Sequence, residues 1–156
     1  MNFPIISSLI ILPIVGTIFL FFIKSNEKNT SIKYVALFIS LSNLILSLYL
    51  WYIFDNTNPS FQFVENRQWI LGLINYKVGI DGISILFVIL TTFIVPLCVL
   101  SVNYTIKYRL KDFLIAILIM ESLMIGVFCS LDLVVFYLFF EGGLIPMFLI
   151  IGIWGG

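Results

Sequence analysis

Uncharged apolar runs of about twenty residues recur along this chain, the length that a helix needs to cross the hydrocarbon core of a bilayer. Of its 156 residues, 62% are hydrophobic and only 10% are charged, which excludes a soluble globular domain. We expect an all-α fold, namely a polytopic membrane protein with five transmembrane helices in a single membrane domain, residues 1–156. The predicted spans are approximately 3–23, 34–54, 82–103, 113–130 and 132–153.

One longer loop, residues 55–81, separates the second predicted span from the third. Residues 61–64 and 76–80 have the composition of short strands, and a turn near Leu71-Gly72 would join them as a β-hairpin. Asp81 and Asp132 each stand directly before an apolar run, where an aspartate acts as a helix N-cap.

Positive charge is unevenly distributed between the loops, and this predicts the orientation of the chain. The first and third loops are short and carry three Lys or Arg residues each, whereas the longer second loop carries only Arg67 and Lys77. Short loops rich in Lys and Arg remain on the inner side of a membrane. We therefore expect the N-terminus and the hairpin on the outer face, with all eight basic residues outside the spans.

Several classes of function lack support in the sequence. The net charge is zero and there is no basic cluster, so we expect no nucleic-acid partner. Histidine is absent, no Gly-rich phosphate loop occurs, and both cysteines, Cys98 and Cys129, fall inside predicted spans. We expect no metal, no cofactor and no soluble-type catalytic site in this chain.

Two glutamates interrupt otherwise apolar spans. Glu141 lies nine residues after Asp132, so a helical rise of about 1.5 Å per residue places it roughly 13 Å deep, near the bilayer midplane. Glu121 is placed at a similar depth in the preceding span. Ionisable residues at this depth commonly mark ion pathways, so both are candidates for a proton pathway. The alternative is a purely structural carboxyl that hydrogen-bonds a neighbouring helix.

Gly142, Gly143 and Pro146 follow Glu141 in the same span. Pro146 lacks an N–H, so the carbonyl of Gly142 loses its helical hydrogen bond, and the two glycines leave room for water or a close backbone. These residues predict a weakened, polar point in the helix beside the carboxyl. The alternative is that Gly and Pro are simply frequent in membrane helices.

Nearly the whole chain resembles a known family of membrane subunits. Four segments carry the resemblance: WI (69–70), VGIDGIS (78–84), LFVILTTF (86–93) and FYLFFEGGLIPMFLIIGIWG (136–155). They are similar to the N-terminal part of the chain 4 family, the antiporter-like membrane-arm subunits of proton-pumping NADH:ubiquinone oxidoreductase, respiratory complex I.

The resemblance implies roles for both glutamates. In that family the glutamate that Glu141 matches belongs to the proton route and pairs with a lysine on a later helix, while Glu121 matches a second membrane carboxyl. NADH, FMN, the iron–sulfur clusters and ubiquinone are bound by other subunits of the complex. The expected partners are the lipid bilayer and the other membrane-arm subunits.

Members of the family are several-fold longer than this chain, and no lysine lies within its predicted spans. We therefore expect a second polypeptide to complete the subunit; a truncated copy is the alternative. The expected location is the mitochondrial inner membrane, with a bacterial plasma membrane as the other possibility. Two other functions stay open, a subunit of a multisubunit cation/proton antiporter and a structural scaffold that carries no ions.

Overall fold

The computed structural model describes residues 5–23, 30–55, 57, 60–68, 75–105 and 110–154. Five helices in this part of the chain are long and apolar enough to cross a membrane, and the sheet is a single antiparallel pair of strands. The predicted fold class and the hairpin are therefore confirmed, although the expected turn near Leu71-Gly72 lies outside the described residues. The elements are α1 (Ile5–Phe22), α2 (Thr30–Ile53), β1 (Gln62–Gln68), β2 (Asn75–Ile80), α3 (Gly82–Thr105), α4 (Leu110–Cys129) and α5 (Leu133–Trp154).

Two of the helices begin earlier than the apolar runs indicated. Helix α2 begins at Thr30 and α4 at Leu110, so Lys33 and Lys111 lie in their first turns and not in the loops. A lysine can occupy the end of a membrane helix because its long side chain reaches the polar interface. The change in hydropathy along the sequence indicates where the hydrocarbon core ends. The helices extend past that point because their backbone hydrogen bonds continue into the interface.

Helices α1 to α4 form a four-helix bundle, in which α1 contacts α2 and α4, while α3 contacts the same two helices. Helix α5 packs mainly against α4 and remains at the edge of the bundle. Two groups of buried apolar side chains hold the bundle together, one near the hairpin and one at the opposite end. The first includes Ile6, Leu9, Leu50, Val78, Ile80, Ile85 and Ile125, and the second includes Leu20, Ile32, Val99, Leu114 and Leu118.

The hairpin joins several helix ends on one face of the bundle. Its register shifts between Gln62 and Glu65, and Phe63 adopts a positive φ of 55° at this irregularity. Strand β2 continues the pairing beyond the hairpin, because the backbone N–H of Leu131 donates to the carbonyl of Lys77 at 2.8 Å. The hairpin thus holds the connection between α4 and α5.

Side chains of opposite charge bind the two ends of α1. At its N-terminus the carboxylate of Glu65 accepts hydrogen bonds from the backbone N–H of Ser7 at 3.0 Å and from its hydroxyl. At its C-terminus the ammonium of Lys111 donates to the carbonyls of Phe21 and Ile23, at 2.9 and 2.7 Å. Both contacts satisfy backbone groups that a helix leaves unpaired and complement the helix dipole.

The hydroxyl of Tyr76 extends the contact at the N-terminus of α1. It shares a hydrogen bond of 2.9 Å with the hydroxyl of Ser7. Burial raises the pKa of the Tyr76 phenol, the Ser7 hydrogen bond lowers it, and the charge of Glu65 raises it. The phenol therefore stays protonated and remains available as a hydrogen-bond donor.

Gly126 allows α4 and α5 to approach closely, and its replacement tests this packing. A Cβ atom added there would lie 2.7 Å from ring atoms of Phe139 on α5. We expect Gly126→Ala to lower the free energy of unfolding by about 1–3 kcal/mol, since the ring must move in a packed interface. Thermal unfolding of the purified membrane complex measures this. Gly152→Ala is the matched control because no atom lies within 4 Å of its added Cβ; equal losses in both variants would contradict the packing.

The predicted orientation is tested by labelling of single cysteines, with Cys98 and Cys129 first replaced by alanine. A membrane-impermeant thiol reagent should label a cysteine at Lys28 or Arg109 only from the inner side, following the distribution of basic residues. A cysteine at Thr57, which is exposed next to the hairpin, should react only from the outer side. The reverse pattern in sealed vesicles of known orientation would overturn the assignment.

Candidate functional site: two carboxyls in membrane-spanning helices

Glu121 lies inside the four-helix bundle and is only 1% exposed. The amide Nδ2 of Asn43, on α2, donates to Oε1 of Glu121 at 3.3 Å. Within the described residues, Oε2 of Glu121 and Oδ1 of Asn43 are buried without a hydrogen-bond partner. Helices α2 and α4 thus meet at a carboxyl and a carboxamide that form one hydrogen bond with each other, and each of them keeps one buried oxygen without a partner.

The bundle interior contains further polar side chains around this pair. The hydroxyls of Ser47 and Thr92 share a hydrogen bond of 2.7 Å between α2 and α3. Ser122 donates to the carbonyl of Ile10 at 2.5 Å and so joins α4 to α1. The buried polar side chains in the described part of the chain are Ser40, Asn43, Ser47, Thr91, Thr92, Glu121 and Ser122.

Asn43 and its neighbours are not among the site residues that the sequence predicts, because the second span reads there only as an uncharged apolar run. The signal was present in the spacing, because Ser40, Asn43 and Ser47 are three and four residues apart. Residues with that spacing share one face of a helix. A polar face on a membrane helix predicts contact with other protein.

Glu141 occupies a different environment, on the exposed surface of α5. In this helix only Val135 and Pro146 are buried, since it lies at the edge of the bundle. Glu121, by contrast, faces the bundle interior, and its hydrogen bond is to Asn43 and not to Glu141. The structure therefore does not bring the two predicted proton-pathway carboxyls together.

Gly142, Gly143 and Pro146 lie along the contact between α5 and α4. A Cβ added at Gly142 would be 3.5 Å from Leu123, and one at Gly143 would be 3.9 Å from it. Helix α5 continues through Pro146 to Trp154. Gly142 and Pro146 also line a groove of about 660 Å³ between the two helices, so the backbone weakened by Pro146 adjoins an open space.

Asp81 and Asp132 both have the geometry of N-caps. Oδ1 of Asp81 accepts hydrogen bonds from the backbone N–H groups of Ile83 and Ser84, at 3.1 and 2.8 Å. The bond from Ser84 is the main cause that lowers the pKa of Asp81. Oδ1 of Asp132 accepts from the second and third residues after it, at 2.9 and 3.3 Å. The caps fix the first turns of α3 and α5.

Metal-ligating side chains do not cluster in the part of the chain that the structure describes. No group of three or more His, Cys, Asp or Glu residues there is placed to hold a metal ion. Cys98 and Cys129 are free thiols, the second of them buried.

No protein-family model matches the chain. Individual relatives do: it is 60% identical over 124 residues to NADH-quinone oxidoreductase subunit M of Rhodobacter capsulatus, covering 80% of this chain and 24% of that protein. It is 47% identical over 151 residues to NADH-ubiquinone oxidoreductase chain 4 of Marchantia polymorpha, covering 96% of this chain and 30% of that protein. The chain therefore spans only 24% and 30% of the length of these two relatives.

A solved structure shows the same arrangement of helices. Respiratory complex I from Thermus thermophilus with bound NADH contains a chain that matches this one with a TM-score of 0.77 and 27% sequence identity. The match covers 95% of this chain and 29% of that chain. The five helices and the hairpin thus correspond to a part of a longer chain in that complex.

The N-cap of α5 matters for the candidate site because this helix carries Glu141, and replacing Asp132 tests it. We expect Asp132→Ala to lower the free energy of unfolding by about 0.5–2 kcal/mol, since two backbone N–H groups lose their acceptor. Asp132→Asn keeps an oxygen at the same place and should retain most of the stability. Thermal unfolding of the assembled complex measures both variants. Equal loss in the two would show that charge, and not the cap, matters.

Proposed function

We propose that this chain, which belongs to the family of NADH-quinone oxidoreductase subunit M and NADH-ubiquinone oxidoreductase chain 4, forms part of a proton-translocating subunit of an NADH:quinone oxidoreductase. The relatives that carry these names match up to the whole of this chain. The observation that carries the proposal is Glu141, a carboxyl on the exposed face of a membrane-spanning helix. Such a residue needs protein or water beside it in the working assembly.

The cost of leaving Glu141 against lipid supports this conclusion. An ionised residue at the centre of a membrane helix costs about 2.5–3.5 kcal/mol on insertion scales. We propose that the helices completing the subunit, in the same polypeptide or in a second one, cover this face of α5. A basic side chain or ordered water from them would stabilise the carboxylate. If that positive partner moves, Glu141 can bind and release a proton.

In this proposal, Glu121 has a role separate from that of Glu141. It lies in the polar interior of the bundle with Asn43 and the Ser47–Thr92 pair. We propose that it holds a proton inside α1 to α4, separate from the site at Glu141. Gly142 and Pro146, which line the groove, would let water approach the backbone of α5 next to Glu141, and Gly143 lies beside them on the contact with α4.

The redox chemistry then belongs to other subunits. We propose that NADH, FMN, iron–sulfur clusters and ubiquinone bind elsewhere in the complex, and that the partners of this chain are other membrane-arm subunits. The chain itself is a multi-pass membrane protein, with relatives named from bacteria and from a plant. We propose the mitochondrial inner membrane as its location, with a bacterial plasma membrane as the alternative.

Glu141→Gln is the test of the proposed function. The amide has nearly the same shape but cannot exchange a proton, so we expect the complex to assemble while proton translocation per NADH oxidised is abolished. Translocation is measured in sealed vesicles by a pH-sensitive dye, and assembly by native gel electrophoresis.

Tyr137→Gln is the matched control, because it places the same amide one turn earlier on the exposed side of α5. It should translocate protons normally. Normal translocation in Glu141→Gln would contradict a role in the proton route. Loss of assembly, with normal translocation by the complexes that remain, would support a scaffold instead.

A further inference from the structure

The Asn43–Glu121 pair leaves two acceptors without a donor. A carboxamide has two N–H donors and one carbonyl acceptor, and an ionised carboxylate has acceptors only. One N–H of Asn43 reaches Oε1 of Glu121. Oδ1 of Asn43 and Oε2 of Glu121 are both acceptors, both buried, and both unpaired among the described residues. Buried acceptors without a donor are costly, so this pair needs at least one more hydrogen atom.

The neighbouring hydroxyls do not supply it. Ser40 donates to the carbonyl of Leu37 and Ser122 to that of Ile10. The hydroxyls of Ser47 and Thr92 have only each other and the carbonyls of Leu44 and Ile89 as acceptors within reach, so both of their hydrogens are used there. The buried polar side chains of the described residues include no lysine or arginine. An ionised Glu121 would therefore be buried with a single hydrogen bond from a neutral group and no positive partner. Burying a charge in this way costs much more free energy than burying the neutral acid.

We propose that Glu121 carries a proton on Oε2 and donates it to Oδ1 of Asn43, so that the two side chains form a reciprocal acid–amide pair. One proton then satisfies both orphaned oxygens and removes the buried charge. The only covalent bond that forms is the O–H bond of the carboxyl. If the proton leaves, the hydrogen bond from Oε2 to Oδ1 of Asn43 is lost with it. Asn43 is a positioning residue in this arrangement, since it holds the carboxyl between α2 and α4.

The use of this proton in translocation rests on the proposed function, but the pair itself does not. A water molecule between the two oxygens, beside an ionised Glu121, is the competing arrangement. It would donate the same two hydrogen bonds. The two arrangements differ in one property that can be measured, because a protonated carboxyl has a carbonyl stretching band and a carboxylate does not.

Infrared spectroscopy of the intact membrane complex in H2O and D2O distinguishes them. We expect the wild-type protein to show a protonated-carboxyl band that Glu121→Gln removes. Asn43→Leu should shift this band to higher frequency, because the hydrogen bond to Oε1 is lost. Asn43→Ser should give the same shift, because the serine side chain is too short to replace the carboxamide. This variant takes the place of Asn43→Leu if the leucine variant does not assemble.

Ser47→Ala is the matched control. This residue lies one turn from Asn43 on the same buried face but bonds to Thr92, so its removal should leave the band in place. Absence of any acid band that depends on Glu121 would overturn the proposal and favour the water-bridged carboxylate. A band that Asn43→Leu leaves unchanged would overturn the role of Asn43. Neither result depends on Glu141, whose role is decided separately by proton translocation.

Discussion

A carboxyl group in the hydrocarbon layer must be neutralised, paired or reached by water, and the rest of this structure depends on how that requirement is met. Helices α4 and α5 each carry one such group. Glu121 points into the bundle, where Asn43 supplies a hydrogen bond. Glu141 remains on the outside of α5. The first carboxyl has a hydrogen-bond partner within these helices, whereas the second lies on the exposed side of α5.

The hairpin and the ends of the helices hold this arrangement in place. Glu65 and Lys111 bind opposite ends of α1, and strand β2 pairs with the connection that leads into α5. Helix α5 is thereby fixed at its beginning and along α4, while its other side remains open. In the assembly that we propose, this open side is where the helices completing the subunit would pack.

The apolar runs and the turn-forming residues predicted the five helices and the hairpin, because length and hydropathy alone decide whether a segment can span a bilayer. An aspartate before an apolar run also identifies an N-cap locally. The partner of Glu121 could not be predicted in this way. Asn43 and Glu121 are 78 residues apart, and their contact depends on how α2 and α4 are rotated about their axes.

The contacts between the hairpin and α1 were equally hidden from the sequence. Glu65 bonds to Ser7 across 58 residues, and only the folded hairpin brings them together. The placement of Glu141 near the middle of a span followed from counting residues. Its exposed position did not, because an 18- to 22-residue apolar helix shows little periodicity that would distinguish a lipid-facing side from a protein-facing one.

The proton route at Glu141 is tested most directly by an electron cryo-microscopy map of the native membrane complex that contains this chain, resolved well enough to show side chains around α5. We expect protein against the face that carries Glu141, with a basic side chain or ordered water within hydrogen-bonding distance of its carboxyl. Lipid acyl chains packed directly against Glu141, with no such group nearby, would contradict a proton route at this residue.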